Sequence, residues 1–217
     1  MKKRYRGHRS GGFSLVELLI VVAITIVLSV VSVISLVPIM NSQRVTNAYN
    51  TTLAAMRQAR DNAVSQRTSY EDVISQTTTT PVQTTISVLP TASGFTGNQS
   101  RVTYQYPLGV VFQTPPTSSG TAPDGYGTGS NAIDFGYTSN GNAGGATSYT
   151  IYFCPDGSAQ TSSACSGGGN WDGGVVYLAR NGDVGSYRAV SLWGGTGRIH
   201  GWRLYSNGSG GYQWVRQ

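Results

Sequence analysis

The spacing of apolar residues divides this chain into three parts. From Leu18 to Val37 twenty consecutive residues carry no charge, and most are apolar. Wound as a helix, such a run rises about 30 Å, the thickness of a bilayer's hydrocarbon core. Beyond it the pattern becomes periodic: Val45, Tyr49, Leu53, Met56, Ala59 and Ala63 recur at helical spacing, with Arg57, Arg60, Asp61 and Arg67 mostly off that stripe. This is the pattern of a helix that packs one face on a domain core. After Thr68 short β-branched and aromatic runs alternate with Gly, Ser and Thr. They are Arg101–Tyr106, Val110–Gln113, Ala132–Tyr137, Tyr149–Phe153, Val175–Arg180, Tyr187–Leu192, Arg198–Tyr205 and Tyr212–Val215. Such runs predict antiparallel strands. The expected fold class is therefore α+β: a long N-terminal helix, its N-terminal half transmembrane, packed on a C-terminal antiparallel β-sheet domain. The expected divisions are 1–12 (basic tip), 13–40 (membrane helix), 41–67 (amphipathic extension) and 68–217 (β-domain).

Charge sharpens this division. The net charge of +6 belongs largely to residues 1–12, where Lys2, Lys3, Arg4, Arg6 and Arg9 stand without an acid. From Phe13 onward ten arginines face nine acids, so the remainder is close to neutral and its charge is no nucleic-acid footprint. The chain has two histidines, His8 and His200, and two cysteines, Cys154 and Cys165. No CxxC pair, HExxH helix or Walker loop occurs, and the His/Cys inventory is too small for a zinc cluster without carboxylates. Neither a metal nor a cofactor is expected. Catalysis becomes a minority reading, although a membrane-anchored enzyme working with carboxylates stays open. The glycines of Gly125–Gly129 and Gly167–Gly169 do not stand between a strand and a helix, so they read as turns rather than phosphate loops.

The apolar run is too long for a secretory h-region, and no Ala-x-Ala pattern follows it. It reads as an anchor, with the positive tip inside and the C-terminal part outside. A plain anchor leaves Glu17 unexplained. A carboxylate costs roughly 2.5–3.5 kcal/mol at the bilayer centre, and an acid inside an apolar helix calls for a cationic partner. Cleavage after Gly12 supplies one, because the new α-amine of Phe13 stands four residues before Glu17. A neighbouring subunit's amine serves equally well.

Gly12-Phe13-Ser14-Leu15-Val16-Glu17, behind a basic leader and ahead of an uncharged run, resembles the class III signal of type IV pilins and type II secretion pseudopilins. The resemblance implies cleavage between Gly12 and Phe13 by prepilin peptidase and N-methylation of Phe13. It further implies assembly with other pilin subunits through the N-terminal helix, with Glu17 paired to a neighbouring N-terminus. An inner-membrane assembly platform and the lipid bilayer are the other implied partners. The implied location is a bacterial inner membrane crossed once, with the C-terminal domain periplasmic or on an extracellular filament. Ala59-Arg60-Asp61-Asn62-Ala63 also resembles a helix pattern of the GspH/FimT group of minor pilins. The expected function is thus a non-enzymatic minor pilin or pseudopilin. Many members carry a proline about twenty residues into the mature chain; here Pro38 stands a turn later, displacing any kink. Thr25, Ser29 and Ser32 form a small polar stripe that suits either close helix packing or bonding back to their own helix.

Two features of the β-domain complete the reading. Cys154 and Cys165 lie outside the membrane, where oxidation is permitted, and are expected to form a disulfide that stabilises by roughly 3 kcal/mol. The last forty residues are basic, and Arg188, Arg198, His200, Arg203 and Arg216 are candidate anion or DNA contacts. Gly197-Arg198-Ile199-His200 resembles, imperfectly, the Gly-Arg-x-Arg motif of DNA-binding FimT-like pilins. Strand alternation places Arg198 and His200 on one face with Trp202 and Leu204, and Arg203 on the other unless Gly201 carries a bulge. Specific DNA binding is accordingly expected to be weak or absent.

Overall fold

The computed structural model of the chain describes residues 12–91, 101–126, 131–138, 141–142, 148–166 and 171–217. The basic leader before Gly12, the Gly127–Gly129 and Gly167–Gly169 glycines and most of the Gly136–Ser148 loop lie outside the described residues. The chain forms two compact units, Met1–Met40 and Asn41–Gln217.

In the first unit the backbone enters helix α1 (Leu15–Gln66) after Ser14, whose carbonyl accepts the Leu18 amide at 3.1 Å. Glu17 is the one acid of the first helical turn, where a negative charge suits the helix dipole. The apolar side chains from Leu15 to Met40 are exposed, and α1 is long and apolar enough to cross a membrane. The hydroxyls of Thr25, Ser29 and Ser32 donate to the carbonyls of Val22, Thr25 and Leu28 at 2.8, 2.7 and 2.8 Å. Each is thereby satisfied within its own helix. Pro38 lies inside α1.

The second unit begins on the C-terminal part of α1. Val45, Ala48, Tyr49, Thr52, Leu53, Ala55, Met56, Ala59 and Ala63 are buried there, which is the expected apolar stripe widened by alanines and one threonine. Arg67, at φ 52°, ends the helix in the left-handed region. Twelve strands follow: β1 (Tyr70–Gln76), β2 (Thr84–Pro90), β3 (Val102–Gln105), β4 (Val110–Phe112), β5 (Ile133–Thr138), β6 (Gly141–Asn142), β7 (Ser148–Phe153), β8 (Ala159–Gln160), β9 (Gly173–Arg180), β10 (Asp183–Trp193), β11 (Arg198–Ser206) and β12 (Tyr212–Arg216). They form an antiparallel sheet of order β3-β2-β1-β7-β8 and a second of order β12-β11-β10-β9-β5-β6, in which β4 also pairs with β9. The layout is α+β, as expected.

All eight expected runs are strands, but β1, β2 and the two-residue strands β6 and β8 were not foreseen. The reason for β1 is chemical. Its inward positions are Tyr70, Asp72 and Ile74, so an acid interrupts the apolar alternation on which strand recognition depends.

One hydrophobic core joins α1 to both sheets. Met56, Ala55 and Ala59 of the helix belong to the same cluster as Ile74, Ile86 and Ile151 of the first sheet and Phe135, Val176 and Leu192 of the second. Polar bonds stitch the two sheets along one seam: Thr84 Oγ1 donates to the Val110 carbonyl at 3.1 Å, and the Phe112 amide donates to Gln76 Oε1 at 2.5 Å. Gly201 lets the helix come close. β10 and β11 pair residue for residue from Arg188↔Arg203 to Trp193↔Arg198, so Gly201 carries no bulge. A Cβ there would instead overlap the Tyr49 hydroxyl and lie 3.1 Å from Leu53 Cδ1. The other face of the second sheet is crossed by residues 113–126. Tyr187 Oη donates to the Thr114 carbonyl at 2.8 Å, the Tyr212 amide donates to the Ser118 carbonyl at 3.0 Å, and Tyr126 stacks on Trp193.

Asp72 is fully buried, and neither carboxyl oxygen has a hydrogen-bond partner. Burial pushes its carboxyl well above the usual carboxylate range. Because the folded-state value is raised, Asp72 penalises folding least below about pH 3.9, where the unfolded chain also holds the proton. The penalty grows as pH rises from there through the folded-state value. Asp72→Leu is expected to stabilise the protein by about 1–3 kcal/mol at pH 7 and by much less at pH 3.5. Thermal unfolding of the full chain in detergent at the two pH values measures this. A gain equal at both would show that Asp72 is not held neutral.

Candidate functional site

The sequence Gly194-Gly195-Thr196-Gly197 forms the tight connection between β10 and β11. Its glycines are set by close approach. A Cβ on Gly194 would lie 2.7 Å from the Asp172 backbone. One on Gly197, at φ 60°, would overlap the Gly157 carbonyl and come within 2.9 Å of Arg60 Cδ. The disulfide loop braces this turn from beneath. Cys154 and Cys165 are bonded, with Cα atoms 5.6 Å apart, and between them the Ala159 amide donates to the Gly194 carbonyl at 2.7 Å. The Arg60 Nε donates to the Gly157 carbonyl at 3.3 Å, tying α1 to the same loop. Asp156 shapes the loop by accepting from both the amide and hydroxyl of Ser158, at 2.8 and 2.6 Å, and the hydroxyl bond holds its carboxyl below the ordinary value.

Two grooves flank the turn and share Thr196 and Arg198. The first, about 430 Å³, is lined by Arg57, Arg60 and Asp61 of α1 and by Thr196 to Ile199. Three guanidinium groups thus meet one carboxylate there. The Arg60–Asp61 pair, at 4.0 Å and solvent-accessible, neutralises little of that charge. The second groove, about 340 Å³, is lined by Asp124, Tyr126, Trp193, Thr196, Arg198 and His200. Trp193 is 44% exposed, and its ring stacks on Tyr126 with centroids 5.4 Å apart. Trp171, equally exposed, also lies beside Gly195.

Asp124 organises the second groove. It sits at φ 55° in the 3-10 turn Pro123–Gly125, a left-handed conformation that Asp tolerates better than most residues. Its Oδ2 accepts from the Ser191 hydroxyl and stands 3.0 Å from His200 Nδ1. Ser, Asp and His are the residue types of a hydrolase triad, but the connectivity differs. Here the acid is the centre, the serine hydroxyl points at the acid rather than the imidazole, and Ser191 Oγ also accepts from Trp202 Nε1 at 2.9 Å. A serine so engaged has no base to activate it. Among the described residues no group of three His, Cys, Asp or Glu could hold a metal.

The candidate cations of the sequence do not form one patch. Arg188 is 6% exposed and donates to the carbonyls of Ser186 and Tyr187. Burial, with the nearby Arg203 charge, lowers its guanidinium below the ordinary value. Arg203 stands opposite Arg188 on β10 and lies 4.9 Å over the Tyr205 ring. Strand alternation puts both on the face of Gly201, away from Arg198 and His200. Arg216 is exposed opposite Trp202, at the far edge strand. Trp202 itself packs against Val175, Tyr177 and Ala189. Arg198 lines the first groove together with two cations of α1, Arg57 and Arg60.

Gly12, Phe13 and Glu17 lie exposed in the first unit. Arg57, Arg60, Asp124, Tyr126 and Trp193 were not foreseen as site residues. The run of glycines before Arg198 is a local signal for the turn. Nothing local reveals Asp124, which reaches Ser191 and His200 across 67 and 76 residues. No protein-family model, curated protein or solved structure matches this chain.

Asp124→Ala is expected to cost about 1–3 kcal/mol of stability, because it removes the acceptor of the Ser191 hydroxyl and leaves a left-handed alanine. Asp124→Asn keeps an acceptor and the tolerance for that conformation, so it should cost less. Denaturant unfolding of the two variants compares them. Equal losses would show that the carboxylate bonds do not contribute.

Proposed function

We propose that the chain is a non-enzymatic minor subunit of a pilin-like filament, either a type II secretion pseudopilus or a type IV pilus. The observation that carries this reading is the first thirty residues of the mature chain. Glu17 stands one turn into a helix whose next twenty residues are uncharged, and those side chains have no cover within the protein. Apolar surface of that extent needs lipid or neighbouring helices. A subunit held in the inner membrane and then drawn into a filament uses both in turn. Glu17 supports the second step. Its carboxylate is costly in lipid and is relieved by pairing with the amine of a neighbouring Phe13. The signal Gly12-Phe13 places that amine where prepilin peptidase would expose it.

A DNA-uptake role draws less support. Arg188 is buried and Arg203 lies on the opposite face from Arg198, so the C-terminal strands do not present a row of cations.

The mature protein should begin at Phe13 with a methylated amine, as read by intact mass of membrane-purified protein from cells with an active prepilin peptidase. Retention of the twelve leader residues there would overturn the reading. Glu17→Gln keeps the size and shape of the side chain while removing the charge. It should leave cleavage intact and lower incorporation into sheared filaments severalfold. Normal incorporation of this variant would show that assembly does not use the charge.

A further inference from the structure

The two grooves beside the Gly194–Gly197 turn carry a chemistry that filament assembly does not require. We propose that together they bind an acidic polysaccharide: a sugar ring against the Trp193 face in the second groove, and carboxylates of the same chain on Arg198, Arg57 and Arg60.

Three observations support this. The first is the platform. Trp193 is half-exposed although it stacks on Tyr126, and Trp171 is equally exposed beside it, so two indoles flank one glycine at the surface. Aromatic faces with a few placed polar groups are the usual lining of a ligand cleft. The C–H face of a pyranose is flat and apolar and fits an indole. The second observation is polar matching. Asp124 holds His200 through Nδ1, which makes Nε2 the ring nitrogen able to serve a ligand, and fixes the imidazole at the groove. Hydroxyls donate and accept, so a sugar can use both a carboxylate and an imidazole. The third is the charge next door. Arg198 belongs to both grooves, and Arg57 and Arg60 extend the positive wall on its other side. Guanidinium groups favour carboxylates through paired N–H donors. A ring site next to a three-arginine groove selects a saccharide that carries acids.

Single-stranded DNA is the competing occupant, because it too stacks on aromatics and follows cations. The acids argue against it. Asp61 lines the first groove and Asp124 the second, and both repel any polyanion. A saccharide offsets this by donating hydroxyls to them, whereas the backbone of DNA has no internal hydroxyl to give.

The proposal is tested with the full chain in detergent micelles at about 150 mM salt, near physiological ionic strength. Intrinsic tryptophan fluorescence is titrated with hexagalacturonate, with its methyl ester, and with a ten-residue oligothymidylate. Hexagalacturonate should give saturable quenching, and the ester, which has lost its charges, should bind about tenfold more weakly or worse. Because Trp193 is itself one of the fluorescent reporters, calorimetry is the second readout for variants. Trp193→Ala and Arg198→Gln should each weaken hexagalacturonate binding about tenfold. Both side chains are exposed, so near-UV circular dichroism should show the fold retained. Arg216→Gln, on the far edge strand, should bind like the parent chain. Absence of saturable binding, equal affinity for acid and ester, or wild-type affinity in Trp193→Ala would overturn the proposal. Tighter binding of the oligothymidylate, lost in Arg198→Gln, would also overturn it and assign the grooves to nucleic acid.

Discussion

Everything in the folded domain depends on how closely α1 can approach the sheets. The helix presents Ala48, Ala55, Ala59 and Ala63 along its buried face, and β11 answers with a glycine where Tyr49 and Leu53 cross it. Small residues on one side and a missing Cβ on the other bring helix and sheet within side-chain contact over five turns. That proximity gives Met56 its complete burial and lets one cluster include residues from both sheets. A wider gap would leave voids, and voids in a core cost stability in proportion to their volume.

The same proximity carries polar cost. Asp72 enters the core from β1 without a bonded partner, and Thr52 and Tyr106 share a hydrogen bond of 2.6 Å within the same buried layer. Burial raises the Tyr106 phenol above its ordinary value, and the neighbouring Asp72 raises it further, while the bond from Thr52 opposes both. A carboxyl buried there without a partner gives up stability at neutral pH.

At the rim of the domain, one turn of glycines collects elements that are distant along the chain. The helix contributes Arg57 and Arg60, the crossing segment contributes Asp124 and Tyr126, and the disulfide loop supports the turn from below. Each contact needs backbone to pass within van der Waals distance of backbone, which only glycine allows at Gly194 and Gly197. The result is a pair of adjoining grooves of different character, one cationic and one aromatic, with Arg198 between them. Filament assembly through the N-terminal helix, as proposed, would leave these grooves available to a ligand.

Local chemistry was enough to read the helix, its exposed apolar part and its packed part, and eight of the strands, because each rests on a pattern of neighbouring residues. An uncharged run of twenty residues states its need for an apolar medium, and a 3.6-residue stripe states which face is covered. Cys154 and Cys165 likewise declared their pairing through number and expected compartment. The alternation on β11 placed Arg203 opposite Arg198, and the unbroken register agrees. Tertiary structure decided the rest. Strand β1 was hidden because its central inward residue is Asp72, whose burial depends on helix and sheet closing over it. Arg188 looked like a surface cation until neighbouring strands enclosed it. The Asp124–His200 pair exists only because a segment seventy residues earlier crosses the face of the second sheet. Long-range contacts of this kind leave no periodic trace, since the residues that meet owe their meeting to the path of the chain rather than to their neighbours in it.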